Sequence, residues 1–232
     1  MTVRRLYELQ GANDLRFSPY CWRTRLALAH KGLDAEYVPV RFGEKDKIAF
    51  SGQQKVPVLD DSGHVVADSF AIAKDLETRY PKAPSLFGGV GGVTSTYFFN
   101  TWCDRVVHPA ISPMIIADLF GNVDPRDHAY FRKDREAKMG RRIEDVQVGR
   151  EAKLPVFRAV LDPVRFVLDK QPYIAGDEPA YADHILFGTL MWPRCVSTFE
   201  LLDPADRVWS WRERMLDFYG GLGRTAKVPA AA

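Results

Sequence analysis

Three short stretches carry residue types that could do chemistry: Ser18-Pro19-Tyr20-Cys21, Gln54-Lys55-Val56-Pro57-Val58-Leu59 and Asp68-Ser69. In the first, serine is a favoured helix cap and proline a favoured first helical residue, so capping alone accounts for the pair. The same geometry has a second use. A hydroxyl at a helix N-terminus sits among free N–H groups at the positive end of the dipole. There it can donate to a thiolate and lower a thiol pKa from its ordinary value of about 8.5, and the thiolate is the nucleophilic form. A dithiol redox motif would read Cys-Pro-Tyr-Cys and place its reactive cysteine first. Ser18 holds that position, and Cys21 lies one turn into the helix, where packing is expected. A thiol used here must therefore arrive with a ligand. Asp68-Ser69 divides in the same way, as a helix cap or as an anion site at a helix N-terminus with Ser69 as donor and Asp68 accepting from an ammonium group.

The elements that must position these residues follow from periodicity. Val3 to Leu9 reads as a buried strand, Pro19 to Lys31 as a helix stopped by Gly32, and Tyr37 to Phe42 as a second strand. Val56 to Asp60 and His64 to Ala67 form a hairpin across Asp61-Ser62-Gly63, and Ser69 to Tyr80 is a helix ended by Pro81. This β-α-β, β-β-α order builds a small mixed sheet with helices on its faces, a thioredoxin-like α/β domain assigned to residues 1–83. In such a fold Pro57 sits where a cis-proline is placed, turning the Val56 N–H and C=O outward to pair with the backbone of a tripeptide, as in strand addition. Glutathione is the obvious thiol carrier for that frame, with Lys55 on a carboxylate. Pro81 to Gly92 is a linker rich in Pro and Gly. Beyond it strand patterns disappear, and residues 93–226 read as an all-α bundle. Its elements are a helix through Phe99, Trp102, Val106 and Ala110 broken or kinked at Pro109 and Pro113, an amphipathic helix through Phe157, Leu161, Val164 and Leu168, a buried central helix over Ile185 to Trp192, and a last helix through Val208, Trp211, Met215 and Phe218. The tail after Gly223 is expected to fray.

Bulk composition excludes several classes. Lys and Arg number 32 against 30 Asp and Glu in 232 residues, so no basic face for nucleic acid is indicated. The mixed charges of residues 125–150 read as a solvated helix face. No apolar run approaches the roughly 20 residues of a membrane span. Met1 to Arg5 lead straight into a strand, so no signal peptide is expected. Cys21, Cys103 and Cys195 are far apart and lack metal-ligand spacing, which suits reduced thiols in a cytosol.

With Ser18-Pro19-Tyr20, Lys55-Val56-Pro57-Val58 and Asp68-Ser69 in this order, the chain resembles the glutathione transferase superfamily. Ala180-Tyr181-Ala182-Asp183 stands where that family has a capping box, although Ala180 replaces the usual Ser or Thr. A narrower resemblance, to the bacterial lignin β-aryl-etherases and their fungal relatives, rests on three longer stretches. These are Ser18 to Gly32, Arg142 to Arg150, and Asp217-Phe218-Tyr219-Gly220-Gly221-Leu222-Gly223-Arg224. The resemblance implies Ser18 as the catalytic residue, glutathione as co-substrate on Lys55, Val56, Pro57, Asp68 and Ser69, cleavage of a β-O-4 aryl ether, and a homodimer in the cytoplasm. A hydrophobic aromatic electrophile would lie between the domains, with Tyr20, Trp22 and Trp102 as its contacts and Phe98, Phe99, Met114 and Trp192 as further candidates. Two rivals remain open: a glutathione or aromatic-ligand binder without turnover, and a thiol-disulfide enzyme using Cys21.

Overall fold

The computed structural model describes residues 4–229. Val3, expected to open the first strand, lies outside the described residues. The chain begins with β1 (Arg4–Leu9), α1 (Pro19–His30) and β2 (Glu36–Val40), followed by β3 (Val58–Asp61), β4 (His64–Ala67) and α2 (Ser69–Arg79). The sheet order is β2-β1-β3-β4, with β2 parallel to β1 and both other pairings antiparallel. Leu6 faces Tyr37 on one side and Leu59 on the other, which sets the register. This is the expected thioredoxin-like half. Along β1, Arg4, Leu6 and Glu8 are buried, so one sheet face carries two charged residues into the core. Such groups need partners. Glu8 accepts from Arg16 Nη1 at 2.6 Å and Arg25 Nε at 2.6 Å, while Arg4 donates to the Asp34 carbonyl and to Tyr80 Oη, each at 2.7 Å.

The second half is helical: α3 (Val90–Trp102), α4 (His108–Gly121), α5 (His128–Met139), α6 (Ile143–Gln147), α7 (Leu154–Val160), α8 (Asp162–Leu168), α9 (Tyr181–Val196) and α10 (Arg207–Gly221). Helix α3 starts inside the expected linker. Gly92 sits in its first turn because a Cβ there would come within 1.7 Å of the Phe87 carbonyl oxygen. The expected break at Pro109 takes the form of a π-helical turn over Cys103–Val107, which joins α3 to α4 without reversing the chain. Pro109 lacks an N–H and its ring crowds the carbonyl four residues back, so the ladder widens ahead of it. Within the described residues the tail is tied down where fraying was expected: Arg224 pairs with Glu213 at 2.6 Å and Asp217 at 2.9 Å, and Lys227 donates to the Asn13 carbonyl at 3.0 Å. Among the described residues no single helix is long and apolar enough to cross a membrane.

Helix α9 is the axis of this half. Its start lacks a serine or threonine cap, and Asp183 compensates. Its carboxylate accepts from Ile174 N at 2.8 Å, Ala175 N at 3.0 Å, Ala180 N at 3.2 Å and Trp211 Nε1 at 2.8 Å. Its other flank packs on α1. Gly188 allows this, since a Cβ there would lie 2.8 Å from the Pro19 carbonyl oxygen and 3.0 Å from Arg23 Cγ. Arg23 is fully buried and spans the two halves. It donates to Asn100 Oδ1 at 3.0 Å, Asp104 Oδ1 at 2.8 Å, Thr189 Oγ1 at 2.9 Å and the Ile185 carbonyl at 3.3 Å. Tyr181 adds a second tie, donating from its hydroxyl to the Ser69 carbonyl at 2.6 Å.

Breaking a buried, hydrogen-bonded ion pair costs about 3–5 kcal/mol. Arg23→Met should therefore lower the thermal midpoint by roughly 10 °C, at about 2–4 °C per kcal/mol for a chain of this size. Calorimetry checks this, and a drop of less than about 2 °C would mean that apolar packing alone holds the halves together.

Candidate functional site

A cavity of about 420 Å³ opens between the two halves. Its first wall comes from Leu9 at the end of β1, Phe17 to Tyr20 at the start of α1, Val40 to Phe42, the turn bearing Lys45 and Ile48, and Gln54 to Val56. Its second wall comes from His108, Ser112, Ile116 and Leu119 on α4, from Tyr130, Phe131, Asp134, Arg135 and Lys138 on α5, and from Trp192 on α9.

Ser18 is 5% exposed, caps α1, and accepts from the Cys21 N–H at 3.3 Å. The Val56–Pro57 bond is cis, as the fold reading expected, and the Val56 N–H and C=O take no hydrogen bond within the described residues. Lys55 is exposed at the cavity edge with no carboxylate partner among the described residues. Asp68 and Ser69 lie outside this cavity wall. Asp68 caps α2 through Phe70 N and Ala71 N, both at 3.0 Å, and has φ +77° and ψ +130°. A non-glycine residue in that conformation costs about 1–3 kcal/mol and is often found where strain serves a site. Ser69 is buried, and its hydroxyl takes no hydrogen bond within the described residues.

The aromatic candidates divide. Tyr20 and Trp192 line the cavity. Trp22 is 2% exposed, shares the core with Leu6 and Leu26, and donates from Nε1 to the Arg16 carbonyl at 2.8 Å, so it stands behind the wall. Trp102 packs on Phe99 with ring centroids 5.3 Å apart, and neither lines the cavity. Met114 is a core residue, and Phe98 faces outward at 76% exposure. For Phe99 and Trp102 the helical spacing of aromatic residues marked a packing face.

Several wall residues were not singled out in the sequence. His108 stacks on Trp192 with centroids 4.3 Å apart and planes 12° apart, and lies 6.0 Å from the Tyr20 ring. Burial, with the Arg23 charge nearby, pushes its pKa down to about 4, so it is neutral at physiological pH. Burial likewise raises the Tyr20 phenol, which stays protonated. The charged stretch on α5 is only partly a solvated face. Arg132 does pair outward with Glu136 at 2.8 Å and Glu144 at 2.6 Å. Tyr130, Phe131, Asp134, Arg135 and Lys138 instead form the inner stripe at helical spacing. That spacing is the signal that would have found them. Arg41 and Phe42 are placed by the buried Asp127, which accepts from Phe42 N and Gly43 N, both at 3.1 Å. Lys45 sits over the Tyr130 ring at 5.2 Å. Arg41, Lys45, Lys55, Arg135 and Lys138 thus surround an apolar floor with Asp134 as the one carboxylate in the wall. Such a wall suits a ligand carrying carboxylates and an apolar portion.

The cysteines take no part. All three are buried, and burial drives the Cys21 and Cys195 thiols up to about 12 and Cys103 further.

A thioredoxin-like sheet joined to a helical half, with a capping serine at the start of α1, a cis-proline immediately before β3 and a cavity at the junction lined by no cysteine, defines the class of fold. The chain belongs to the glutathione S-transferase family. The family model "Glutathione S-transferase, N-terminal domain" matches residues 14–84, and "Glutathione S-transferase, C-terminal domain" matches residues 95–215. Among curated relatives, glutathione S-transferase Z1 of Arabidopsis thaliana is 42% identical over 69 residues, which is 28% of this chain and 31% of that protein. The match therefore spans about a third of that relative's length. The probable glutathione S-transferase GSTU6 of Oryza sativa subsp. japonica is 25% identical over 234 residues, covering 89% of this chain and 86% of that protein. Two solved structures show the same fold. The glutathione S-transferase CsGST63524 of Ceriporiopsis subvermispora, in complex with glutathione, has a TM-score of 0.79 at 23% identity over 99% of this chain and 100% of its own. The glutathione transferase GSTFuA3 of Phanerochaete chrysosporium has a TM-score of 0.76 at 24% identity, over 96% and 94%.

The buried thiols yield a direct test. At pH 8 an aromatic disulfide reagent should label none of the three cysteines in the native protein and all three after unfolding in guanidinium. Rapid native labelling of Cys21 would revive the thiol-disulfide reading.

Proposed function

We propose that the chain is a glutathione transferase whose glutathione thiolate attacks a hydrophobic aromatic electrophile, with glutathione-dependent cleavage of lignin-type β-aryl ethers as its reaction. The observation that carries this reading is the single cavity that joins Ser18, Lys55 and Val56 to the apolar wall of Ile116, Leu119 and Trp192. The free N–H and C=O of Val56 support strand-like pairing with the cysteinyl backbone of glutathione. Lys55, which lines the same cavity as Lys45, offers a cation for a glutathione carboxylate. Asp68 and Ser69, outside the wall, would take the γ-glutamyl end, Asp68 accepting from the ligand's ammonium group and Ser69 donating to the ligand's carboxylate. Ser18 Oγ and the helix N–H groups stabilise the thiolate. The sulfur attacks carbon, the C–O bond breaks, and a phenolate departs; phenols near pKa 10 are tolerable leaving groups near neutral pH. The expected homodimer belongs to the same proposal. Tyr97 and Phe98 on α3, exposed at 58% and 76%, support it as an apolar patch.

Incubation with glutathione and a β-aryl-ether dimer that releases a fluorescent phenol tests the reaction. Glutathione-dependent release is the expected result. Turnover of a halo-aromatic electrophile without release would keep the transferase and remove the ether, and bound glutathione with neither would leave a binder.

Ser18→Ala has a signed pH effect. Loss of the donor raises the bound thiol's pKa by about one unit, roughly 1.4 kcal/mol. kcat/KM should then fall about tenfold below neutral pH and recover where the thiol is ionised without help. An unchanged pH profile would transfer thiolate stabilisation to the backbone dipoles.

A further inference from the structure

Two donors on the cavity wall have no acceptor. The Tyr20 hydroxyl and the ring nitrogens of His108 make no hydrogen bond with any described residue, yet both side chains line the cavity beside Ser18. Their setting fixes what they can do. The His108 ring lies flat on Trp192, so its face is covered and its edge, which carries the nitrogens, is not. Arg23 and Arg135 bear on it from α1 and α5 against Asp104 from the π-helical turn, and burial outweighs that carboxylate, so the ring is a neutral imidazole with one N–H. Tyr20, under the Arg23 guanidinium at 4.9 Å, keeps its proton. Ser18, two residues before Tyr20, belongs to the thiol side of the same cavity.

We propose that Tyr20 and His108 form a neutral donor pair for the oxygen of the electrophile, which makes this cavity selective for substrates that leave as an oxyanion over those that leave as a halide. The inference rests on the transferase reading above and adds the class of leaving group. As sulfur bonds to carbon, the C–O electron pair passes to oxygen. The Tyr20 O–H and His108 N–H hydrogen-bond to that charge as it develops. The phenolate then takes from water a proton equivalent to the one the glutathione thiol released, so the net reaction is thiol plus aryl ether to thioether plus phenol. A halide needs neither donor. A site built to pair with an oxygen discriminates strongly against analogues that lack it, because its own polar groups are left unmatched.

Two measurements on the full chain test this. The first needs no turnover: 4-nitrophenol is titrated in the presence of saturating protein, and the visible absorbance of its phenolate gives its apparent pKa. His108→Phe keeps the ring stack but lacks the N–H, and should raise that bound pKa by about one unit over the native protein. Tyr20→Phe should do the same, and His108→Gln, which restores an N–H donor, should return most of the shift. The second is a ratio, kcat/KM for phenol release from a β-aryl ether divided by that for benzyl chloride, which His108→Phe should lower at least tenfold. An unshifted nitrophenol pKa in both His108→Phe and Tyr20→Phe overturns the donor pair, as does an unchanged ratio in an enzyme that turns over both electrophiles. A native protein that shifts nitrophenol as expected yet turns over neither electrophile sinks the transferase reading and leaves the donor pair standing.

Discussion

The buried guanidinium of Arg23 is the constraint on which the arrangement depends. A charge removed from water and left unpaired carries a penalty of several kcal/mol even after relaxation. Arg23 lies on α1, in the thioredoxin-like half, and its acceptors lie in the helical half: Asn100 on α3, Asp104 on the π-helical turn, Thr189 and the Ile185 carbonyl on α9. The first half alone leaves that charge unmatched among its described contacts. Its desolvation is therefore compensated only when the two halves dock in one relation, and Gly188 supplies the close approach that the geometry needs. The cavity is a consequence. Fixing α1 against α9 holds Ser18 and Tyr20 opposite His108 and Trp192, and the space left between them is the site.

The rest of the wall is held by similar long-range pairings. Asp127 precedes α5 yet accepts from the backbone of Phe42 and Gly43 and from Arg41 Nη1 at 3.3 Å, so the loop after β2 cannot move independently of α5. Glu8 gathers Arg16 and Arg25 around the root of the loop that carries Ser18. Cations engaged in this way are structural parts of the wall. Lys45 and Lys55, with no carboxylate partner among the described residues, are the ones left to meet a ligand's charge.

The sequence revealed most about the half whose chemistry is local. The strand and helix signals, the Ser18 cap and the packed Cys21 follow from neighbours within a few residues, the cis bond at Pro57 follows from its place in the β-α-β, β-β-α order, and each is present. The second wall was harder to read because a helix shows its neighbours which residues share a face without showing what that face meets. Trp22 and Trp102 were plausible contacts by type, but Trp22 is buried in the core with its Nε1 on the Arg16 carbonyl, and Trp102 packs on Phe99. On α5 the density of charge hid the stripe through Tyr130, Asp134 and Lys138. His108 gave no local signal at all. Its neutrality comes from burial beside Arg23, and that contact exists only once the halves have docked.

Ser18 offered two readings in the sequence, cap or thiol partner, and the geometry makes them compatible. A hydroxyl has one O–H donor and two acceptor lone pairs. The cap uses a lone pair, since Ser18 Oγ accepts from the Cys21 N–H. That bond orients the side chain at the helix N-terminus on the cavity wall, where the dipole also favours negative charge; under the proposed function the hydroxyl proton, which also reaches the Cys21 sulfur, would turn to the ligand's thiolate. With an oxygen and not a sulfur at this position the helix start carries no nucleophilic thiol of its own, and under the proposed function the same helix start would stabilise one brought by a ligand. With Cys21, Cys103 and Cys195 all buried and their thiols held protonated, the sulfur that such a site would stabilise has to come from a ligand.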